Sequence, residues 1–226
     1  MKSQPQWGRN TQNYTWQPQN VTKNTNVCIL SINIPNDIQP PVLFYYRLTN
    51  FYQNHRRYVK SIDTEQLKGT ARSAGDIRSS ECSPLDTAPD GRPYYPCGLI
   101  ANSMFNDTFD NFTVANVAEY QTYNMTSEGT SWSHEGDLYG KTAYKPNEVV
   151  PPPNWQEQYP EDGYDSLQEL PNLHTWEQFQ VWMRTAGLPT FSKLAKRNDN
   201  DVMRAGTYRL KIYDSMTLNP VSRQTY

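Results

Sequence analysis

Histidine and cysteine are scarce in this chain, with three of each in 226 residues. None of His55, His134 and His174 sits in an H-x-H or H-E-x-x-H spacing, so no metal-ligand pattern is legible. Glycine-rich phosphate loops of the Walker or G-x-G-x-x-G type are missing. So is G-x-S-x-G; Ser103 in GLIANSM lacks the glycines that a nucleophile elbow needs. No apolar run approaches the roughly 18 residues that cross a membrane as a helix. The opening MKSQPQWGRN has no hydrophobic region behind it and is not a signal peptide. If the chain is extracytoplasmic, the element that sends it across lies outside these residues. A surplus of positive charge is also lacking. The formal charge is -2, so no net field steers the chain onto nucleic acid.

Charged residues make up 19% and hydrophobic residues 36%, both below ordinary globular usage. Asn, Gln, Ser and Thr fill the gap, with 17 Pro and 16 Tyr. Aromatics reach 13%, whereas disordered chains are poor in them. The chain is therefore expected to fold, with long polar loops and little helix. Its length allows one good core or two small ones.

Residues 1–25 carry no hydrophobic period and read as a polar arm. NVCILSINI at 26–34, VLFYYRLT at 42–49 and AGTYRLKIY at 205–213 read as strands, from their alternation and β-branched or aromatic content. GLIANSMFNDTF reads as a short buried helical turn, and 110–131 as strand–loop–strand. The prolines of EVVPPPNWQEQYPEDGY predict polyproline II geometry, with Trp155, Tyr159 and Tyr164 as anchors. The strongest helix signal covers 173–187. There Thr175 and Gln178 have capping-box spacing, Trp176, Phe179 and Met183 share a face, and Gly187 suits the stop. The fold class is mainly β: an antiparallel, β-sandwich-like body with short helices and long loops.

Five N-x-S/T sequons, at Asn13, Asn20, Asn106, Asn111 and Asn124, are compatible with a glycosylated, extracytoplasmic chain. Cys82 and Cys97 flank a Pro- and Gly-rich loop that a disulfide would close for about 3 kcal/mol. Reduced thiols are the other reading of these residues. Cys28 is the odd one of the three.

The segment FYQNHRRYVKS holds Arg56, Arg57 and Lys60 among Phe51, Tyr52 and Tyr58. One reading is phosphate binding with the tyrosines as stacking platforms. Another is a structural belt, with arginines pairing to carboxylates and stacking on rings. Trp155, Trp182 and the many acids also leave room for a sugar cleft in a secreted or cell-surface carbohydrate-binding or carbohydrate-active β protein.

VLFYYRLTNFYQNHRRYVKS, QLKG, PCGLIANSMFNDTF, YKPNEVVPPPNW, FQVWMRTAGLPTFSKL and AGTYRLKI, in this order, resemble one family. It is that of the accessory, non-catalytic subunits of phospholipid-flipping type IV P-type ATPases, fungal members above all. The resemblance runs from about Cys28 to Ile212.

It implies a β-rich, glycosylated ectodomain on the lumenal or extracellular side of endoplasmic reticulum, Golgi, endosomal or plasma membranes. The family's partner is the catalytic ATPase, whose folding, exit from the endoplasmic reticulum and activity the subunit supports. No enzymatic activity, cofactor or metal is implied. Cys82 and Cys97 match the family's disulfide. Cys28 matches a cysteine that pairs with one upstream, and none precedes it in these residues. Neither of the family's two membrane helices is in the sequence. The expectation is therefore one β-rich ectodomain over 26–226, incomplete at its C-terminal end and exposing the strand at 205–213 as an edge. Arg56, Arg57 and Lys60 are expected to be structural or partner-facing, with a lipid-headgroup contact as the alternative.

Overall fold

The computed structural model describes residues 26–105, 107–115, 121–159 and 163–214. The polar arm at 1–25, with Asn13 and Asn20, lies outside the described residues, as does Asn106. In chain order the elements are β1 (Asn26–Ile34), β2 (Val42–Leu48), α1 (Arg56–Lys60), α2 (Thr64–Leu67), α3 (Ala74–Arg78) and α4 (Leu99–Asn102). Then follow β3 (Thr108–Phe109), β4 (Phe112–Val114), β5 (Thr122–Tyr123), α5 (Glu177–Met183), β6 (Phe191–Asn198) and β7 (Gly206–Asp214). Among the described residues every strand pair is antiparallel and no helix exceeds seven residues, so the fold is mainly β with short helices and long loops.

The chain divides into two compact units. Among the described residues, unit 1 takes 26–40, 107–115, 121–124 and 201–214, and unit 2 takes 41–105, 125–159 and 163–200.

Unit 1 is a sheet in the order β1-β7-β4-β5, with β3 also paired to β7. The β1–β7 register is unbroken from Asn26↔Asp214 to Ile34↔Gly206. The same alternation that marks both segments as strands turns Tyr208 and Leu210 inward. Phe112 meets the Tyr208 ring edge-on at 6.5 Å. One expectation is corrected here. The strand at 205–213 is not an edge, because β7 lies between β1 on one side and β3 and β4 on the other. The short strands β3 and β4 lack the length to show alternation, yet they satisfy the second side of β7. Among the described residues the sheet ends at β1 and β5.

Unit 2 has one small sheet, β2 with β6, whose register shifts between Phe44 and Tyr45. The rest is loop and short helix around an aromatic core. Helices this short are marginal alone, so tertiary bonds must fix them. Trp155 donates its indole N–H to the Ala101 carbonyl at 3.0 Å, and Trp182 donates to Ile100 at 2.7 Å. Both indoles thereby close on α4. Tyr164 donates to the Tyr95 carbonyl at 2.8 Å. Gly98 precedes α4 with φ of 98°, and a Cβ there would collide with the Ser61 carbonyl. Ser61 donates its hydroxyl to the Cys82 carbonyl and accepts from the Leu99 N–H.

Two local expectations change. Helix α5 covers Glu177–Met183 rather than 173–187, and Thr175 bonds back to the Asn172 carbonyl instead of capping it. The chain leaves the helix after Met183 because Lys193 takes the carbonyls of Val181, Trp182 and Arg184. Pro152 keeps polyproline-like angles (φ −53°, ψ 151°), but Pro153 begins a 3-10 turn through Gln158. That turn carries Trp155 into the core.

Candidate partner-facing surface

The segment FYQNHRRYVKS divides into inward and outward residues. Phe51 packs edge-on against Trp182, Tyr58 and Phe191. Gln53 is fully buried; its Oε1 accepts from the Ala186 N–H at 2.9 Å and its Nε2 donates toward the Tyr58 hydroxyl. Tyr58 reaches Ser103 at 2.8 Å, and burial raises its pKa. These anchors hold α1 in place. His55 caps the helix by accepting from the Arg57 N–H.

Outward point Tyr52, Arg56, Arg57, Val59 and Lys60, all exposed. A second stretch joins them. Asn54 donates to the Gly187 carbonyl at 3.0 Å and Phe51 N–H to the Pro189 carbonyl at 3.1 Å. The turn between them presents Leu188, 70% exposed, beside Tyr52, 51% exposed. Among the described residues none of Arg56, Arg57 and Lys60 joins an ion pair. The belt reading, in which these arginines hold loop carboxylates, is therefore corrected. Gln53, through the Ala186 N–H, and Tyr58, through the Ser103 hydroxyl, fix the segment instead, and no hydrophobic period reveals a buried glutamine.

A second outward feature was not legible in the sequence. Trp132 is 57% exposed and lies over the Arg184 guanidinium, 4.1 Å from the ring centroid. Its loop is tied down from α5. Glu177 accepts from the backbone N–H of Gly129 and Ser131. Burial pushes the Glu177 carboxyl up, but these donors outweigh it and hold it below its usual range. Arg184 pairs with the buried Glu135 at 2.9 Å.

The remaining sequence candidates fall as follows. Cys82 and Cys97 are bonded, across a separation of 15 residues. Gln66 backs this bond, accepting from the Cys97 N–H and donating to the Tyr94 carbonyl. Cys28 lies half-buried on β1, opposite Ile212. Asn111 and Asn124 face each other, with Asn111 Nδ2 donating to Asn124 Oδ1 at 3.3 Å. Trp155 and Trp182, candidates for a sugar cleft, are 2% and 1% exposed with their N–H groups spent on carbonyls. They are core. His134 stacks on Trp132, and His174 Nδ1 lies within bonding distance of the Gly136 and Tyr139 carbonyls. Among the described residues no three His, Cys, Asp or Glu side chains converge as metal ligands.

Residues 3–220 match the LEM3 (ligand-effect modulator 3) family / CDC50 family. The chain belongs to that family. It is 46% identical over 202 residues to the phospholipid-transporting ATPase accessory subunit CDC50 of Chaetomium thermophilum, covering 87% of this chain and 49% of that protein. The accessory subunit CRF1 of Saccharomyces cerevisiae is 45% identical over 181 residues, covering 80% of this chain and 45% of that protein. Cell cycle control protein 50A of Mus musculus is 39% identical over 199 residues, covering 82% and 54%. The chain thus spans about half the length of these curated LEM3/CDC50 relatives. No helix among the described residues is long and apolar enough to cross a membrane.

Proposed function

We propose that this chain is ectodomain from a non-catalytic subunit of a phospholipid-translocating P-type ATPase, supporting its folding, exit from the endoplasmic reticulum and activity. The supporting observation is the family match along 3–220, with relatives named as accessory subunits of phospholipid-transporting ATPases. The domain stands on the lumenal or extracellular side of secretory-pathway membranes or the plasma membrane, and the ATPase is its hetero-oligomeric partner. Arg56, Arg57, Lys60, Tyr52 and Leu188 face that partner. Apolar contact from Tyr52 and Leu188, rimmed by three cations, suits a surface with both apolar and acidic groups.

Tagged chain made together with a phospholipid-transporting ATPase tests this reading. Recovery of the ATPase with the chain is the expected result. Absence of the ATPase, with binding to a glycan panel instead, would return the carbohydrate-binding reading.

A further inference from the structure

Glycine loses more conformational freedom on folding than any other residue, so its place in an ordered loop needs a reason. At Gly98 the reason lies within the chain. At Gly187 it does not. The φ of Gly187 lies outside the left-handed region. Apart from its chain neighbours, a Cβ there would meet no atom of the described residues within 4 Å. Gly187 is exposed, and Leu188 beside it is 70% exposed, more than any other large hydrophobic side chain among the described residues.

A leucine on a loose loop can fold back onto the core, but this loop is pinned. Lys193 Nζ donates to the Arg184 carbonyl, and the Ala186 N–H donates to Gln53 Oε1 at 2.9 Å. Asn54 Nδ2 donates to the Gly187 carbonyl at 3.0 Å, and the Phe51 N–H to the Pro189 carbonyl at 3.1 Å. Leu188 lies between the last two bonds and makes no backbone hydrogen bond among the described residues. Pro189 confines the Leu188 backbone to extended angles. A single exposed leucine is ordinary on a loose surface. Here the backbone is fixed so that the side chain stands in water.

We infer, on the accessory-subunit reading proposed above, that Leu188 is a docking knob for an apolar pocket of the ATPase, and that residue 187 lacks a side chain so that the pocket's rim closes on its backbone. The glycine favours a protein pocket over a lipid surface. Binding to lipid strengthens with apolar area, so lipid gives no reason to withhold a side chain beside the knob. A pocket of fixed shape does, because interface cores pack as densely as protein interiors around their anchors. Fixing the tip beforehand lowers the ordering cost of binding. Arg56, Arg57 and Lys60 follow in the helix next to Asn54, so acidic groups around the pocket would complement this surface.

Apolar bulk added beside the knob separates a pocket from lipid. Wild type, Gly187→Leu, Leu188→Ala and the control Leu138→Ala are immobilised by the same tag and titrated with a detergent-solubilised phospholipid-transporting ATPase. Leu138 is 56% exposed and lies outside this segment. Leu188→Ala should weaken binding roughly ten- to hundredfold. Gly187→Leu should weaken it at least as much, although it adds apolar surface, and Leu138→Ala should bind as wild type does. All four thermal midpoints should agree, since the new side chain at 187 enters open space. Binding by Gly187→Leu as tight as wild type or tighter overturns the knob, and a gain in its binding to phosphatidylcholine vesicles would assign the tip to lipid instead. A lowered midpoint for Gly187→Leu overturns it as well, because the glycine would then serve the fold. So does undiminished binding by Leu188→Ala, or an equal loss in Leu138→Ala. Failure of the wild type to bind the ATPase defeats the accessory-subunit reading itself, and the knob with it.

Discussion

Units 1 and 2 are held together by different means. In unit 1 the main chain does most of the ordering, through one long β1–β7 ladder with short strands added to its far side. In unit 2 side chains order the backbone. Trp155, Trp182, Tyr164, Gln53, Gln66 and Ser61 each spend a polar atom on a backbone group from a distant loop. A buried N–H or C=O must be paired, and loops without ladders pair them this way. The aromatic and Gln content of the sequence is therefore structural mortar in unit 2. It leaves the outward residues of the same segments free to meet a partner.

The largest break in this comparison should come from Trp182→Ala. It removes a buried indole and leaves the Ile100 carbonyl without its donor, for a loss of about 3–5 kcal/mol. Urea unfolding followed by tryptophan emission, in a chain with Trp7→Phe and Trp16→Phe, reads unit 2, because the other four tryptophans, 132, 155, 176 and 182, all lie there. Cys82→Ser with Cys97→Ser opens the loop and should cost about 3 kcal/mol in the same assay. Gln66→Leu keeps the volume but strands the Cys97 N–H and the Tyr94 carbonyl, at about 1–3 kcal/mol. A neutral Gln66→Leu would show that apolar packing alone holds unit 2.

Alkaline pH sharpens the comparison through two opposed groups. Burial lowers the Lys193 pKa from 10.5 to about 8, and the Arg184 charge adds to the shift. Between those values the unfolded chain holds a proton that the folded chain has lost, so stability rises with pH. Against Lys193→Met, the wild type should gain between pH 8 and about 10 by more than the roughly 0.5 kcal/mol scatter of surface variants. Tyrosines work the other way. Burial pushes Tyr139 up to about 12 and raises Tyr46 and Tyr95 as well. Above about pH 10 the unfolded phenols release protons that the folded ones keep, and stability falls. Thermal midpoints across this range should therefore rise and then drop. The smallest effect belongs to Arg56→Ala, within about 0.5 kcal/mol of wild type, since the side chain is exposed and joins no ion pair among the described residues.

Legibility in the sequence followed the same divide. Strands β1 and β7 were visible because a ladder imposes a period of two on the side chains it buries. Of their neighbours, β4 and β5 were legible as a strand–loop–strand over 110–131, whereas β3, two residues long, was not. Trp155 and Tyr164 announced themselves as anchors because aromatic residues in a proline-rich loop must be buried somewhere. Gln53 and Gln66 gave no signal, since a buried glutamine differs from a surface one only in its tertiary partners. The end of α5 was misplaced for the same reason, as Lys193, ten residues beyond Met183, decides it. Asn111 and Asn124 were each readable as a sequon, but their contact depends on a register that sequence does not print.

One measurement tests the central claim most directly. Wild-type chain and the charge-reversed Arg56→Glu, Arg57→Glu, Lys60→Glu chain are each made with a phospholipid-transporting ATPase and recovered by the same tag in equal folded amounts. The account predicts that wild type brings the ATPase down and the charge-reversed chain does not, with the two thermal midpoints close to one another. Equal recovery of the ATPase by both chains would contradict the proposed surface, and recovery by neither would contradict the accessory-subunit reading.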